Sequence, residues 1–156
     1  SANCNNDYQE VFSMKEKDIG SLQHTTWRCQ YHIVFAPKYR RLVIYGQIKK
    51  DIGQILRKLC EQKGVEIIEA EACPDHIHML ISIPPKYSVA EIVRTIKCNT
   101  GKKMKEKFEY LRRLYWGTDG VWSDGYLATT AGIQEQNIKE YIERQGQEDS
   151  GQTLFG

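Results

Sequence analysis

Pro74-Asp75-His76-Ile77-His78-Met79-Leu80-Ile81-Ser82-Ile83 is the stretch whose reading decides the fold. Taken two by two, Ile77, Met79, Ile81 and Ile83 fall on one side, and His76, His78, Leu80 and Ser82 on the other. This alternation marks a strand with one face in a core. Twice the strand rise puts the two imidazoles about 7 Å apart on the other face. Two neutral imidazoles so placed can converge on one divalent metal ion.

The segments around this strand order themselves about it. Upstream, 27–35 is rich in aromatic and β-branched residues and predicts a first strand, ended by Ala36-Pro37. The basic loop Lys38-Tyr39-Arg40-Arg41 follows, with an aromatic ring inside it, a composition suited to gripping a phosphate backbone and stacking a base. From 47 to 63, Ile48, Ile52, Ile55, Leu56 and Leu59 recur at helical spacing, and Gly64 is a stop signal. A second strand over 65–72 and a tight turn at Cys73-Pro74-Asp75 make a hairpin with the histidine strand. Downstream, Ser88-Val89-Ala90-Glu91 has the form of a capping box. The helix it opens turns Val89, Ile92, Val93 and Ile96 inward, with Gly101 a candidate interruption. Residues 116–123 read as a loop, 125–131 as a fourth strand, Gly132 as a hinge and 133–145 as a last helix ended by Gly146. Strand, helix, strand, strand, helix, strand is the α+β ferredoxin-like (RRM-like) βαββαβ plan, an antiparallel sheet with two helices on one face. The apolar side of the third strand meets those helices. The histidine side is left open, and the last helix is the only element available to cover it.

The 156 residues suffice for one domain with a real core. Apolar content of 40% and charged content of 27% are those of a soluble globular chain. No apolar run is long enough to span a bilayer, so no membrane partner is expected. Five cysteines, an odd number without a CxxC pair, argue against a disulfide framework and for a reducing cytoplasm. Cys73 lies near the histidines, but a closed structural zinc site wants a second ligand set that the sequence lacks. The net charge of +2 says little about partners. Its distribution says more, because Arg94, Lys97, Lys102, Lys103, Lys105, Lys107, Arg112 and Arg113 face only Glu106 and Glu109 in the same segment. That basic side suits phosphates, with a solvated helix face as the plainer reading. Residues 1–23 read as a flexible leader, within which Met14 is a candidate start, 24–146 as the folded domain, and 147–156 as a flexible tail.

The last helix carries Tyr141 and Gln145 four residues apart on one face, with Asn137 a turn earlier and Ile138 and Ile142 as a neighbouring apolar stripe. A helix that brings a phenol and a carboxamide to a histidine pair supplies a nucleophile and a third metal ligand. A metal there would draw charge from a scissile phosphate. The phenolate would attack phosphorus and retain the bond energy in a covalent phosphotyrosine. Alone, each piece is weak: histidine pairs on strands are commonly structural, and helical tyrosines commonly pack. The joint occurrence with a basic segment carries the reading.

His76-Ile77-His78 on a strand, followed by Tyr141-x-x-x-Gln145, resembles the single-tyrosine HUH transposases of small bacterial or archaeal insertion sequences. The resemblance runs from about His24 to about Gln145 and also takes in Tyr31-His32-Ile33-Val34-Phe35-Ala36-Pro37-Lys38-Tyr39-Arg40-Arg41, Pro74-Asp75 ahead of the histidines, Gly125-Tyr126, and Ile142 beside Tyr141. It implies metal ligation by His76, His78 and Gln145, attack by Tyr141, and Mg²⁺ or Mn²⁺ as the ion. It further implies a homodimer and single-stranded DNA with hairpins at the element's ends as the substrate. In such dimers the tyrosine helix can serve its own subunit's histidines or the partner's. Asp124 stands where relatives often carry a basic residue, which bears on local DNA contacts and not on the catalytic set. Lys38, Tyr39, Arg40, Arg41, Arg94, Lys97, Lys102 and Lys103 are the candidate DNA contacts. Tyr31, Tyr39 and Tyr126 rival Tyr141 as nucleophile, but none shares a helix face with a ligand candidate. The competing readings are a non-catalytic RRM-like nucleic-acid-binding module, a domesticated hairpin nuclease, a replication-initiator or relaxase nuclease, and a histidine-triad hydrolase. Leu80, where the last of these needs its third histidine, speaks against it.

Overall fold

The computed structural model describes residues 29–130 and 132–151. The expected leader over 1–23, the start of the first strand at Trp27 and the end of the tail at 152–156 lie outside the described residues. Strand β1 (Cys29–Phe35) leads through a 3-10 turn (Lys38–Arg40) to helix α1 (Gly46–Lys63). The hairpin of β2 (Glu66–Cys73) and β3 (His76–Ile83) follows, then α2 (Val89–Lys107), a short α3 (Glu109–Leu114), β4 (Leu127–Thr129) and α4 (Glu135–Asp149). The sheet order is β2-β3-β1-β4 with every pairing antiparallel, which is the ferredoxin-like arrangement.

The alternation read in the sequence is the cause of the layering. Cys29, Tyr31, Ile33 and Phe35 of β1 and Ile77, Met79, Ile81 and Ile83 of β3 share one core with Ile48, Ile52 and Leu56 of α1 and Ile92, Val93 and Ile96 of α2. Local chemistry ends α1 and opens α2. Gly64 caps α1 in the left-handed region, φ 69°, returning its N–H to the carbonyls of Cys60 and Glu61. Ser88 and Glu91 close both hydrogen bonds of a capping box at α2.

The differences from the sequence reading have local reasons. Gly101 does not interrupt α2. A Cβ there would lie 3.3 Å from the backbone of Gly120 and Val121, so the missing side chain lets the 116–123 loop pack on the helix. Trp122 from that loop sets its indole edge-on to Phe35 at 4.8 Å and donates to the buried Thr100 hydroxyl at 2.8 Å. Strand β4 is shorter than 125–131, because only Leu127, Ala128 and Thr129 pair with β1. Gly146 does not end α4, which continues to Asp149.

Helix α4 lies on the other side of the sheet. Its Ile138, Tyr141 and Ile142 form a second, smaller core with Val34 of β1, joined by Leu127 and Ile133. Val34 is fully buried although it points away from the main core, and α4 is what covers it. Among the described residues no helix is long and apolar enough to cross a membrane.

Candidate active site

The open face of the sheet carries three histidines. His76 and His78 are half-buried on β3, as their spacing requires. His32 of β1 joins them: its Nδ1 lies 3.0 Å from Nε2 of His78, with ring centroids 5.3 Å apart. His32 pairs with Leu80 and Val34 with His78, so the two imidazoles meet on a diagonal of the ladder. Burial and, next, the neighbouring His32 push the His78 pKa down, which favours the neutral ring. The signal for His32 was present in the sequence, because the alternation of β1 places it on the face opposite Tyr31, Ile33 and Phe35. Only the strand order shows which strand lies beside β3.

His76 has a different partner. Its Nδ1 is 2.8 Å from Oδ1 of Asp75, and the other oxygen of that carboxylate faces Arg40 Nε at 3.6 Å. Arg40 belongs to the 3-10 turn, where Tyr39 and Arg40 both take left-handed backbone, φ 61° and 53°. This turn packs on α4. A Cβ on Gly146 would lie 3.0 Å from the Arg40 Cβ, so glycine inside the helix allows the approach. The Tyr39 N–H donates to Asp149 Oδ2 at 3.0 Å, and the Ser123 hydroxyl donates to the same oxygen.

Tyr141 and Gln145 come together at Gly125, just ahead of β4. A Cβ on Gly125 would sit 2.7 Å from Gln145 Oε1 and 3.7 Å from the Tyr141 hydroxyl, so this glycine leaves the space that the two groups share. The loop holding Gly125 is fixed by Lys97, whose ammonium donates to the carbonyls of Ser123, Asp124 and Gly125 at 2.6, 3.1 and 3.0 Å. The Tyr141 hydroxyl is buried without a hydrogen-bond partner. Burial pushes its pKa well up, against a smaller downward pull from Arg144, so the docked phenol is protonated. Gln145 is 8% exposed, and its Nε2 donates to Glu148 at 3.4 Å. No hydrogen bond joins the histidines to Tyr141 or Gln145 among the described residues. The two halves are linked through Val34, which is opposite His78 in the ladder and against Tyr141 in the core.

Among the described residues no three histidine, cysteine or acidic side chains gather around one ion position. A glutamine is outside that set. Two imidazoles and an amide carbonyl are donors that a divalent ion accepts, and the Gln145 oxygen lies in the space at Gly125, so the residues fit an ion of this kind. Cys73 pairs with His76 across the hairpin, and burial and the adjacent Glu71 push its thiol pKa up.

The basic residues divide by what already holds them. Arg41 stacks its guanidinium over Tyr39 and Tyr115, at 5.0 and 5.3 Å from the ring centres, and donates to the Leu114 carbonyl. Lys38 is 3.9 Å from Asp124. Arg94, Lys102 and Lys103 are exposed. Arg94 and Lys102 line a cleft of about 680 Å³ together with Lys105, Arg112 and Tyr126.

A two-histidine strand on a ferredoxin-like sheet, covered on its open face by a helix that presents one tyrosine and one glutamine, is the layout of the single-tyrosine HUH transposases. The chain belongs to the IS200-like transposase family, enzymes that cut and rejoin DNA: the family described as "Transposase IS200 like" matches residues 25–145. It is similar to the transposase for insertion sequence element IS200 of Salmonella typhimurium, 48% identical over 132 residues that cover 85% of this chain and 86% of that protein. It is also similar to the ISDra2 transposase TnpA of Deinococcus radiodurans, 30% identical over 120 residues, covering 76% of this chain and 85% of that protein. A crystal structure described as a transposase from Deinococcus radiodurans has the same fold, with a TM-score of 0.67 at 28% identity over 76% of this chain and 92% of that one.

Proposed function

We propose that this protein cuts and rejoins single-stranded DNA at insertion-sequence ends through a 5′-phosphotyrosine on Tyr141. The observation that carries the reading is the meeting of the Tyr141 hydroxyl and Gln145 Oε1 at Gly125, on a helix docked over the histidine face. His76, His78 and Gln145 would hold Mg²⁺ or Mn²⁺, which supplies Lewis-acid withdrawal of charge from the scissile phosphate when bound. The Tyr141 oxygen attacks phosphorus, and its phenolic proton passes through solvent to the leaving 3′-oxygen. The O–P bond to tyrosine forms as the bond to the 3′-oxygen breaks, leaving a free 3′-hydroxyl. One phosphodiester replaces another, so a 3′-hydroxyl from another end reverses the step without a nucleotide cofactor. Burial raises the pKa of the docked phenol, so its deprotonation has to be assisted when it attacks.

The basic turn at Lys38–Arg40 and the exposed Arg94, Lys102 and Lys103 are the contacts we assign to the DNA backbone, with hairpins as the recognised form. A homodimer is the assembly in which we place the reaction. The test is incubation of the protein with single-stranded hairpin DNA and Mn²⁺, followed by denaturing electrophoresis. The wild type gives a slow band that survives denaturant and is lost in EDTA, and Tyr141→Phe binds the DNA without giving the band. A band of equal strength from Tyr141→Phe would overturn the assignment.

A further inference from the structure

Each imidazole has two nitrogens, and the hydrogen bond made by one decides what the other can do. His76 spends Nδ1 on Asp75 at 2.8 Å. Because a carboxylate only accepts, the proton of the neutral ring must be on Nδ1, and Nε2 keeps its lone pair. The carboxylate is itself held. Asp75 is in the two-residue turn between β2 and β3, where hairpin pairing runs to the last residue on each side, Cys73 opposite His76. Arg40 faces its second oxygen at 3.6 Å, a long and partly exposed ion pair that steers the carboxylate more than it stabilises it. Arg40 in turn is pressed against Gly146 of the tyrosine helix. A continuous set of contacts therefore runs from α4 to the nitrogen of His76 that faces away from Asp75.

We infer that Asp75 is a positioning residue for His76: it fixes the ring with Nδ1 protonated and leaves Nε2 free to take the metal ion. This rests on the reading of His76 as a metal ligand. The histidine without such a partner can place its proton on either nitrogen, and the Nε2–H form cannot bind through Nε2. Asparagine at position 75 preserves the shape but changes the chemistry. Its amide group can donate to Nδ1, which drives the proton to Nε2. Loss of an orienting partner of this kind commonly lowers metal affinity about 10- to 100-fold.

The test uses the full chain and two readouts other than cleavage. Imidazole ¹⁵N–¹H spectra of the metal-free protein report the tautomer, with His76→Ala identifying the His76 signals. The wild type is expected to hold Nδ1–H. Titration with Mn²⁺, followed by electron paramagnetic resonance, reports affinity. Asp75→Asn is expected to move His76 toward Nε2–H and to weaken Mn²⁺ about 10- to 100-fold. If His76→Ala abolishes Mn²⁺ binding while Asp75→Asn binds as the wild type does, the positioning role is overturned and the metal site stands. If His76→Ala binds Mn²⁺ unchanged, the metal reading fails and this inference with it. Wild-type His76 found as the Nε2–H tautomer overturns the inference with no variant needed.

Discussion

Replacing Gly125 by alanine tests whether Tyr141 and Gln145 work from the position in which α4 is docked. The added Cβ would lie 2.7 Å from Gln145 Oε1, whereas an ordinary carbon–oxygen contact is about 3.3 Å, so the amide must retreat by about 0.6 Å. The Gln145 side chain is flexible but nearly buried, which limits where it can go. Gly125 is not among the glycines with left-handed backbone, so alanine meets no conformational strain there. The lost freedom of the unfolded chain favours the variant by about 0.4–1 kcal/mol, which offsets part of the side-chain shift. Net stability should therefore change by no more than about 1 kcal/mol. Catalysis should fall measurably, because misplacement by about 1 Å can cost about 100-fold, and a shift of about half that predicts a loss of roughly tenfold, about 1.4 kcal/mol of barrier. The assay is single-turnover cleavage of a labelled hairpin strand with Mn²⁺, with a urea melt alongside. Gly53→Ala is the control: the new Cβ meets nothing nearer than 3.7 Å, and helix propensity predicts a gain of about 1 kcal/mol with unchanged cleavage. Wild-type cleavage by Gly125→Ala would refute the claim that Gln145 acts from the docked helix.

Further outcomes follow from single contacts. Tyr141→Phe removes a buried hydroxyl that has no partner, so the variant should be as stable as the wild type or more stable by up to about 1 kcal/mol in urea melts. The raised Tyr141 pKa adds a pH signature. Above about pH 10 the unfolded chain releases a proton that the buried phenol keeps, so stability falls as pH rises, and Tyr141→Phe should flatten part of that fall. Asp149→Ala removes the acceptor of the Tyr39 N–H and the Ser123 hydroxyl, and should cost about 1–2 kcal/mol, with faster hydrogen exchange in α4 than in α1. Thr100→Val strands the buried Trp122 indole N–H and should cost about 1–3 kcal/mol by thermal or chemical melting.

Much of the fold was legible because one strand carries an uninterrupted period of two. The isoleucines and methionine of β3 name the core face, and Gly64 and Ser88 punctuate the helices by chemistry local to each residue. What local sequence could not show depends on neighbours distant in the chain. Gly101 and Gly146 look like helix breakers, yet each is a place where another segment comes within 3.3 and 3.0 Å of where a Cβ would stand. Position 125 reads as part of a strand, but its glycine is a gap shared by Tyr141 and Gln145. The pair of candidate ligands on β3 could be read from spacing alone. Their partners could not: His32 reaches His78 only because β1 lies beside β3, and the Asp75 contact depends on the ring rotamer. Lys97 reads as one cation of a basic run, while its ammonium is turned inward to three carbonyls of the loop that carries Gly125. Charge counting sees the ammonium and not its direction.

The central claim is that Tyr141 is the atom donor that becomes bonded to DNA. Digestion of the protein–DNA adduct formed with hairpin single-stranded DNA and Mn²⁺, followed by peptide mass spectrometry, locates the bond. We predict a phosphodiester-linked nucleotide remnant on the peptide containing Tyr141. A remnant on Tyr31, Tyr39 or Tyr126, with Tyr141 unmodified, would contradict the account.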